Sequence, residues 1–522
     1  MIEVALCILF LIPIAAFLTL GFVTNKPSNL PLLKTVTRVT PLIASVISLL
    51  GAVWLFNFGM FESDLLGIYD LGFSLRIDAL SLIMFGMISI IAIVVFRFSY
   101  NYLEGDPNHA KFISELAVTI GLVQLLVLSG NMFGLFFTWV FTSLALSRLI
   151  MFYPNRKKAR LASRKKFIVA RLGDICLVLA LTLIYQVVGS GDLTTIFKVL
   201  GQLDATNIPV SLEIAAVLLV LTAGLKSAQI PFHGWLIDVM EAPTPVSALL
   251  HAGLLNAGPF LMIRFAYLLD AVAIAPLFLF VMGAFTALYG AIVFTTQPNI
   301  KTSLAYSSVA HMGFSMMACG LGVYAASLLH LVAHSFFKAH SFLSSGSVVE
   351  KVLTKEASTF TRKGSVGRML VGFALSLALF VAIATFWSVS IDSEFQLLII
   401  SGVIFTGVMN LLMNALDSSS YSTSILKIMG ATILVLMSFF GLEELFRITL
   451  GAQIPGIAEP SQLLMILSTT MLVIFFTTVL IHLLSPVFKK GLVYRKLGVH
   501  ARNGFYLNLI VDRITKSNYK SI

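Results

Sequence analysis

Apolar runs of about 18 or more residues recur from one end of this chain to the other, and each is long enough to cross a bilayer as a helix. In lipid every backbone N–H and C=O must find its partner inside the protein, so such runs fold as helices. With 58% hydrophobic and only 11% charged residues over 522 positions, there is too little polar surface to cover a water-soluble body of this size. The fold class is therefore all-α, a polytopic membrane protein of about 13–15 transmembrane helices. Fifteen spans fall near 2–24, 40–58, 78–98, 113–130, 131–153, 168–188, 211–240 (interrupted), 244–270, 272–296, 302–322, 325–348, 368–388, 395–416, 423–442 and 463–485. The first follows Met1 without a basic segment or a small-residue cleavage site, and is expected to be retained.

Basic residues orient the bundle, because Lys and Arg concentrate in cytoplasmic loops. The stretch 155–166, NRKKARLASRKK, carries Arg156, Lys157, Lys158, Arg160, Arg164, Lys165 and Lys166, and reads as a cytoplasmic linker after the fifth span. Counting outward, Lys26, Lys34 and Arg38, then Lys351, Lys355, Arg362, Lys363 and Arg368, fall on the same side. The linker 59–77, with Glu62, Asp64 and Asp70, falls outside. The N-terminus is then outside and the C-terminus in the cytoplasm. The net charge of +11 reads as topology and argues against a nucleic-acid partner. Cys7, Cys176 and Cys319 lie within spans and form no CxxC pair, so no disulfide, iron–sulfur or zinc site is expected from them, and no cofactor. Residues 1–488 read as one transmembrane domain. The tail 489–522 mixes basic residues with Tyr494, Phe505, Tyr506 and Leu507. It suits a cytoplasmic interfacial segment or docking strip, and equally an ordinary charged end that holds the last helix in place.

Ionisable residues inside the spans need a reason, since a charge near the bilayer centre costs about 2.5–3.5 kcal/mol on insertion scales. Lys226 follows the apolar run LEIAAVLLVLTAG and precedes SAQIPFHGW, just ahead of Pro231. Proline removes a helix hydrogen bond, so the helix is expected to break there, with Pro243 and Pro245 marking further interruption. A lysine at such a break can load and release a proton; the alternative is a lysine snorkelling to an interface. In LLHLVAHSFFKAHSFL, His330, His334 and Lys338 are spaced i, i+4, i+8, so one helical face carries three titratable groups about 6 Å apart per step. Three readings stand for them: a proton relay, a zinc site, or structural histidines with satisfied hydrogen bonds. The glutamate of HExxH is missing and no carboxylate lies near in sequence, which counts against metal. His251, in ALLHAGLL, can bridge Lys226 to the later histidines. Arg171 and Asp174, in VARLGDICLVLAL, are either a structural ion pair or a partner that tunes the lysine. Asp238 and Glu241 close the broken segment, as an access funnel or as a solvated helix end.

At these residues the chain resembles a known family. KSAQIPFHGWLIDVMEAPTPVSALLHAG, IKTSLAYSSVAHMGF (300–314) and HLVAHSFFKAHSFLSSGSV (330–348) are similar, in order and spacing, to motifs of the proton-translocating antiporter-like subunits of respiratory complex I and of Mrp antiporters, over roughly 75–350. The resemblance implies that Lys226 is the lysine of the broken helix, His251 the bridging histidine, and His330, His334 and Lys338 the central relay. Arg171, Gly173 and Asp174 match the Arg-x-Gly-Asp element of complex I subunit 5, called L in bacteria. Three departures narrow it. The family pairs its lysine with the glutamate of a Trp-Glu in the fifth span, whereas here Trp139 is followed by Val140. No buried lysine occurs between 366 and 416. The chain stops about 35 residues past its last span, without room for a lateral helix. A shortened member of this kind resembles the DabB family, the membrane subunits of two-component inorganic carbon accumulation systems. That resemblance implies a large zinc-containing soluble partner of the DabA type, protons or sodium ions as the conducted species, and a bacterial inner membrane. Complex I-type and Mrp-type roles are the alternatives.

Overall fold

In the computed structural model the described residues are 2–22, 26–203, 208–346, 366–389, 391–416, 423–483 and 491–514. Lys351, Lys355, Arg362 and Lys363, used above to orient the bundle, lie outside them. Among the described residues the structure is a bundle of helices with two short antiparallel hairpins. Its long helices are α1 (Ile2–Thr19), α2 (Leu30–Phe58), α3 (Ala79–Tyr102), α4 (His109–Val127), α5 (Met132–Ile150) and α6 (Lys157–Val188). After the short α7 (Leu193–Leu200) come α8 (Val210–Lys226), α9 (Gly234–Asp238), α10 (Thr244–Ala252), α11 (Ala257–Arg264) and α12 (Ala266–Ala271). The second half holds α13 (Ile274–Phe294), α14 (Ile300–Gly320), α15 (Tyr324–Leu343), α16 (Val366–Phe386), α17 (Ile391–Leu416), α18 (Thr423–Leu450) and α19 (Gln462–Leu483). The tail forms α20 (Leu492–Arg502) and α21 (Leu507–Ile514).

Each expected span carries helix. Eleven helical stretches among the described residues are long and apolar enough to cross a membrane, with α10 and α11 forming one of them. The other expected spans correspond to α8, α14, α15 and α16. Polar residues lower the hydropathy of α14 and α15, and their buried faces carry Ser308, Ser315, Ser327, His334 and Lys338.

Alternation of the helices defines two faces. One carries the strands β1 (Phe61–Glu62), β2 (Leu66–Ile68), β3 (Leu71–Phe73) and β4 (Arg76–Ile77), which pair β1 with β4 and β2 with β3. Sequence periodicity gave no warning of such short strands. Asn131 ties this strand face together: its side chain caps α5 by accepting from the Phe133 N–H at 3.0 Å and donates to the Asp70 carbonyl at 2.9 Å. A buried ionic cluster supports it. Asp78 pairs with Arg76 at 2.7 Å and with Arg264 of α11, and Arg76 also pairs with Glu62 at 2.6 Å. The opposite, tail face holds the turns 103–108, 151–156, 239–243 and 295–299, together with α20 and α21.

One expectation about the tail face is corrected. The basic stretch 155–166 is not a free linker, because α6 begins at Lys157 and its second and third turns are helical. Lys165 and Lys166 are buried at 6% and 4% exposure, which hydration of a linker would not allow.

Apolar solvent gives helices no hydrophobic reason to associate, so close packing of small residues must do it. The α13–α14 interface is built this way. A Cβ on Gly283 would lie 2.7 Å from the Gly313 carbonyl oxygen, and one on Gly290 would lie 2.6 Å from the Ala310 nitrogen. Gly313→Val is therefore expected to lose about 1–3 kcal/mol to overpacking. The measurement is the thermal-unfolding midpoint in detergent. Gly407→Ala, whose added carbon meets nothing within 4 Å, should leave that midpoint unchanged.

Candidate functional site

The site starts from two neighbouring helix breaks that satisfy each other. α8 stops at Lys226, and 227–233 run as turns with Ala228 at φ +52° and a cis Ile230–Pro231 peptide before α9 begins. The second break was not anticipated: the expected single span 244–270 is interrupted at Gly253, followed by a 3-10 turn over Leu254–Asn256. Breaks inside a membrane leave backbone groups without partners unless neighbouring side chains supply them. Ser227 does this, its hydroxyl donating to the Leu255 carbonyl at 2.6 Å and accepting from the Gly258 N–H at 3.1 Å. Asn256 donates to Ala252 carbonyl at 3.1 Å and to the Ser335 hydroxyl at 2.7 Å, tying the second break to α15.

Pro231 thus lies within the first break, as expected, but Pro243 and Pro245 do not interrupt a helix. They open α10, where proline's missing N–H would be unpaired anyway. His251 stands in the last turn of α10.

Lys226 points into the protein against α5 and α6. Its amine lies 3.4 Å from the Trp139 carbonyl oxygen, to which it donates, and 4.4 Å from the centroid of the Trp139 ring. Val140 offers no carboxylate beside it. The acid comes instead from α6: Asp174, 7% exposed, pairs with Arg171 at 2.6 Å and is within electrostatic reach of Lys226. A second buried amine joins them, unrecognised in the sequence because it was read as a loop charge. Lys166 donates to the Ser143 carbonyl, and to the hydroxyls of Ser143 at 2.9 Å and Ser147 at 3.0 Å.

The histidine row lies between α14 and α15. His334 and Lys338 are buried at 3% and 0%, and the Lys338 amine donates to the Leu304 carbonyl of α14 at 3.0 Å. His330 and His334 have ring centroids 6.0 Å apart. Between them stands His311 of α14, which sequence spacing on α15 could not reveal because it comes from another helix. Its Nδ1 is 3.2 Å from His330 Nε2, one nitrogen donating to the other, and its ring centroid is 5.1 Å from those of both His330 and His334. His251 is fully buried and stacks at 4.4 Å on Phe342, one turn beyond Lys338 on α15. Among the described residues, the ring nitrogens of His251 and His334 have no hydrogen-bond partner. Among the described residues no group of three His, Cys, Asp or Glu is arranged to hold a metal ion.

Asp238 ends α9 half-buried and ion-paired. Its carboxylate pairs at 2.6 Å with Lys165 of α6, which also pairs at 2.5 Å with Asp512 of α21. Glu241 closes the short 3-10 turn that follows, its carbonyl accepting from Arg156 at 3.3 Å. The tail thereby packs under the broken segment. Tyr289 donates to the Gly504 carbonyl at 2.8 Å and lies 3.2 Å from Nε2 of buried His233. Gly504 is required twice over: its φ is +58°, and a Cβ there would sit 2.9 Å from the Tyr289 hydroxyl. Removing one partner of a buried ion pair strands the other charge, at about 3–5 kcal/mol. Lys165→Met should therefore release the tail, read as faster proteolysis within 491–514 in detergent, whereas Lys111→Met, half-exposed on α4 and paired only loosely with Glu115, should not.

Comparison with known proteins places these elements in a family. Residues 129–389 match the family described as NADH:quinone oxidoreductase/Mrp antiporter, transmembrane. Residues 65–113 match the N-terminal part of complex I chain 5. The chain is 37% identical over 456 residues to a probable inorganic carbon transporter subunit DabB2 of Halothiobacillus neapolitanus, covering 86% of this chain and 81% of that protein. It is 38% identical over 360 residues to a probable subunit DabB of Hydrogenovibrio crunogenus, covering 67% and 65%. Against NADH-ubiquinone oxidoreductase chain 5 of Metridium senile it is 37% identical over 296 residues, covering 56% and 48%. The fold is shared with the Mrp complex of Dietzia sp. DQ12-45-1b at a TM-score of 0.58 and 22% identity, covering 97% of this chain and 57% of that one. The chain therefore belongs to the NADH:quinone oxidoreductase/Mrp antiporter family of multi-pass membrane proteins and, within it, to the DabB-type subunits.

Proposed function

We propose that this chain is the cation-conducting, energy-coupling subunit of a two-component inorganic carbon uptake system, carrying no catalytic centre of its own. The observation that carries the reading is the row His311, His330, His334 and Lys338, its first two rings partly buried and joined by a 3.2 Å nitrogen-to-nitrogen contact, its last two groups fully enclosed, in an apolar bundle. A buried polar atom without a partner costs about 1–3 kcal/mol, so unpartnered nitrogens on His251 and His334 suit exchangeable protons better than packing. Histidine can take a proton on one ring nitrogen and release it from the other. Protons, with sodium ions as the alternative cargo, would load at Lys226, with Asp174 and Arg171 setting its charge environment, and pass by His251 to His334, His330 and Lys338. Asp238 and Glu241 would then line the approach only when the tail's ion pair to Lys165 opens.

In this reading residues 1–488 form the membrane domain of an inner-membrane protein and 489–522 a cytoplasmic tail, with the N-terminus outside. Each charge moved down a 100 mV potential releases about 2.3 kcal/mol. That energy would drive hydration of carbon dioxide one way in a large zinc-containing soluble partner; the relatives' names, inorganic carbon transporter subunits, support carbon transport by an assembly of more than one subunit. A complex I-type role is the second reading, favoured by the match to chain 5 proteins. Purification of the chain from its native membrane separates the two. A large zinc protein is expected with it; a set of quinone oxidoreductase subunits would contradict the carbon-uptake reading.

A further inference from the structure

The strand face holds a cavity of about 310 Å³ where the start of α15, the start of α17, the end of α18 and the loop after it meet. Its lining includes Tyr324, Glu394, Glu443, Arg447, Gly451 and Ile454. Glu443 is 3% exposed, and among the described residues its carboxylate makes no hydrogen bond or ion pair. Arg447 attracts it from one turn away, but its guanidinium is hydrogen-bonded to Glu444, with Nε donating at 2.9 Å. The charged groups around Glu443 are thus Glu394 from α17, and Glu444 and Arg447 from its own helix, while Tyr324 of α15 lines the same cavity with its hydroxyl donating to the Ala266 carbonyl at 3.4 Å. A buried carboxylate with no partner, aimed into a cavity, is costly unless something occupies it.

The cavity also lies at the head of the histidine row. At 100° per residue, Tyr324, Ser327, His330, His334 and Lys338 fall within about 120° of the circumference of α15, and Tyr324 is about 9 Å along the axis from His330. Ser327, between them, is fully buried and donates to the Ser315 carbonyl at 3.0 Å, beside a Ser315 hydroxyl that has no partner among the described residues.

We infer that this cavity is the strand-face port of the conducting row, and that Glu443 is the carboxylate that binds a monovalent cation there, exchanging it between solvent and His330 by way of Tyr324 and Ser327. The inference rests on the conduction reading above. For a proton, the carboxylate takes it from a hydronium ion, releases water, and gives it up to the row unchanged; for a sodium ion it is a ligand only.

The test uses the full chain, purified with its native partner and reconstituted in phosphatidylethanolamine–phosphatidylglycerol vesicles under a potassium diffusion potential, with a pH-sensitive or a sodium-sensitive dye inside. Glu443→Gln should lower flux at least tenfold in whichever arm the wild type conducts, and Glu443→Asp should restore most of it. Dicyclohexylcarbodiimide should label Glu443 in the wild type and lower flux in step. Wild-type flux in Glu443→Gln, with Lys226→Ala and His334→Ala inactive, overturns the port and leaves the row standing. Undiminished flux in all three overturns the row itself, and the port with it. Failure of the carbodiimide to label Glu443 overturns an accessible port.

Discussion

Lys226→Ala is expected to lower cation flux through the reconstituted chain about a hundredfold, with assembly intact. The size follows from what the amine does. A charge crossing the bilayer centre without a dedicated site meets a cost of about 2.5–3.5 kcal/mol on insertion scales. Returning that cost to the barrier slows passage by about two orders of magnitude. Folding should survive, because Lys226 anchors little: its amine contacts one carbonyl at 3.4 Å and one indole face, and the break around it is held by Ser227. Flux under an imposed potential, together with the elution volume of the purified variant, checks both halves of the expectation. A variant that elutes normally and conducts at the wild-type rate would show that the amine is a structural remnant.

His311→Ala should lower flux at least tenfold, the larger surprise of the two because α15 keeps all three of its own titratable groups. His330 and His334 are 6.0 Å apart ring to ring, too far to exchange a proton directly, and His311 stands 5.1 Å from each with a 3.2 Å nitrogen contact to the first. A proton transfer requires heavy atoms about 2.6–3.2 Å apart or one water between them. His311→Asn, which retains a polar group but not the second titrating nitrogen, should conduct no better than alanine. If asparagine restores flux, His311 is a hydrogen-bond spacer and carries no charge. The thermal midpoint distinguishes a packing defect, which would lower midpoint and flux together.

These two residues also show what a sequence can disclose. Lys226 was legible because three signals coincide on one short stretch: an apolar run, a charge within it, and a proline after it. His330, His334 and Lys338 were legible because they share one helix and its period. His311 was not, since its partners are on α15 and no rule of spacing joins two helices. Lys166 and Lys165 were misread for a related reason. The positive-inside rule counts basic residues near the membrane without regard to burial, and the first ten residues of α6 are helix. The same limit hid the tail's attachment, where Lys165 joins Asp238 and Asp512 across about 350 residues of chain. Gly253 lay in a run that reads as one continuous span; only its neighbours, Asn256 and Ser227, show why the helix gives way there.

Arg171 and Asp174 fall between these cases. In sequence they read as an ion pair or as a partner that tunes Lys226, the fifth-span glutamate of the family being replaced by Val140; the ion pair is present at 2.6 Å. Asp174 of the sixth span lies within electrostatic reach of Lys226 and Lys166. The α5 face at Trp139 and Ser143 holds these two amines by carbonyl and hydroxyl contacts.

The most direct measurement is potential-driven cation uptake into vesicles by the purified complex, comparing wild type with the double variant Lys226→Ala/His334→Ala at matched protein content. A buried titratable thread predicts uptake that rises with the imposed potential in the wild type and falls to the level of empty vesicles in the variant. Equal uptake by the two, or none by a wild type that retains its partner, would contradict it.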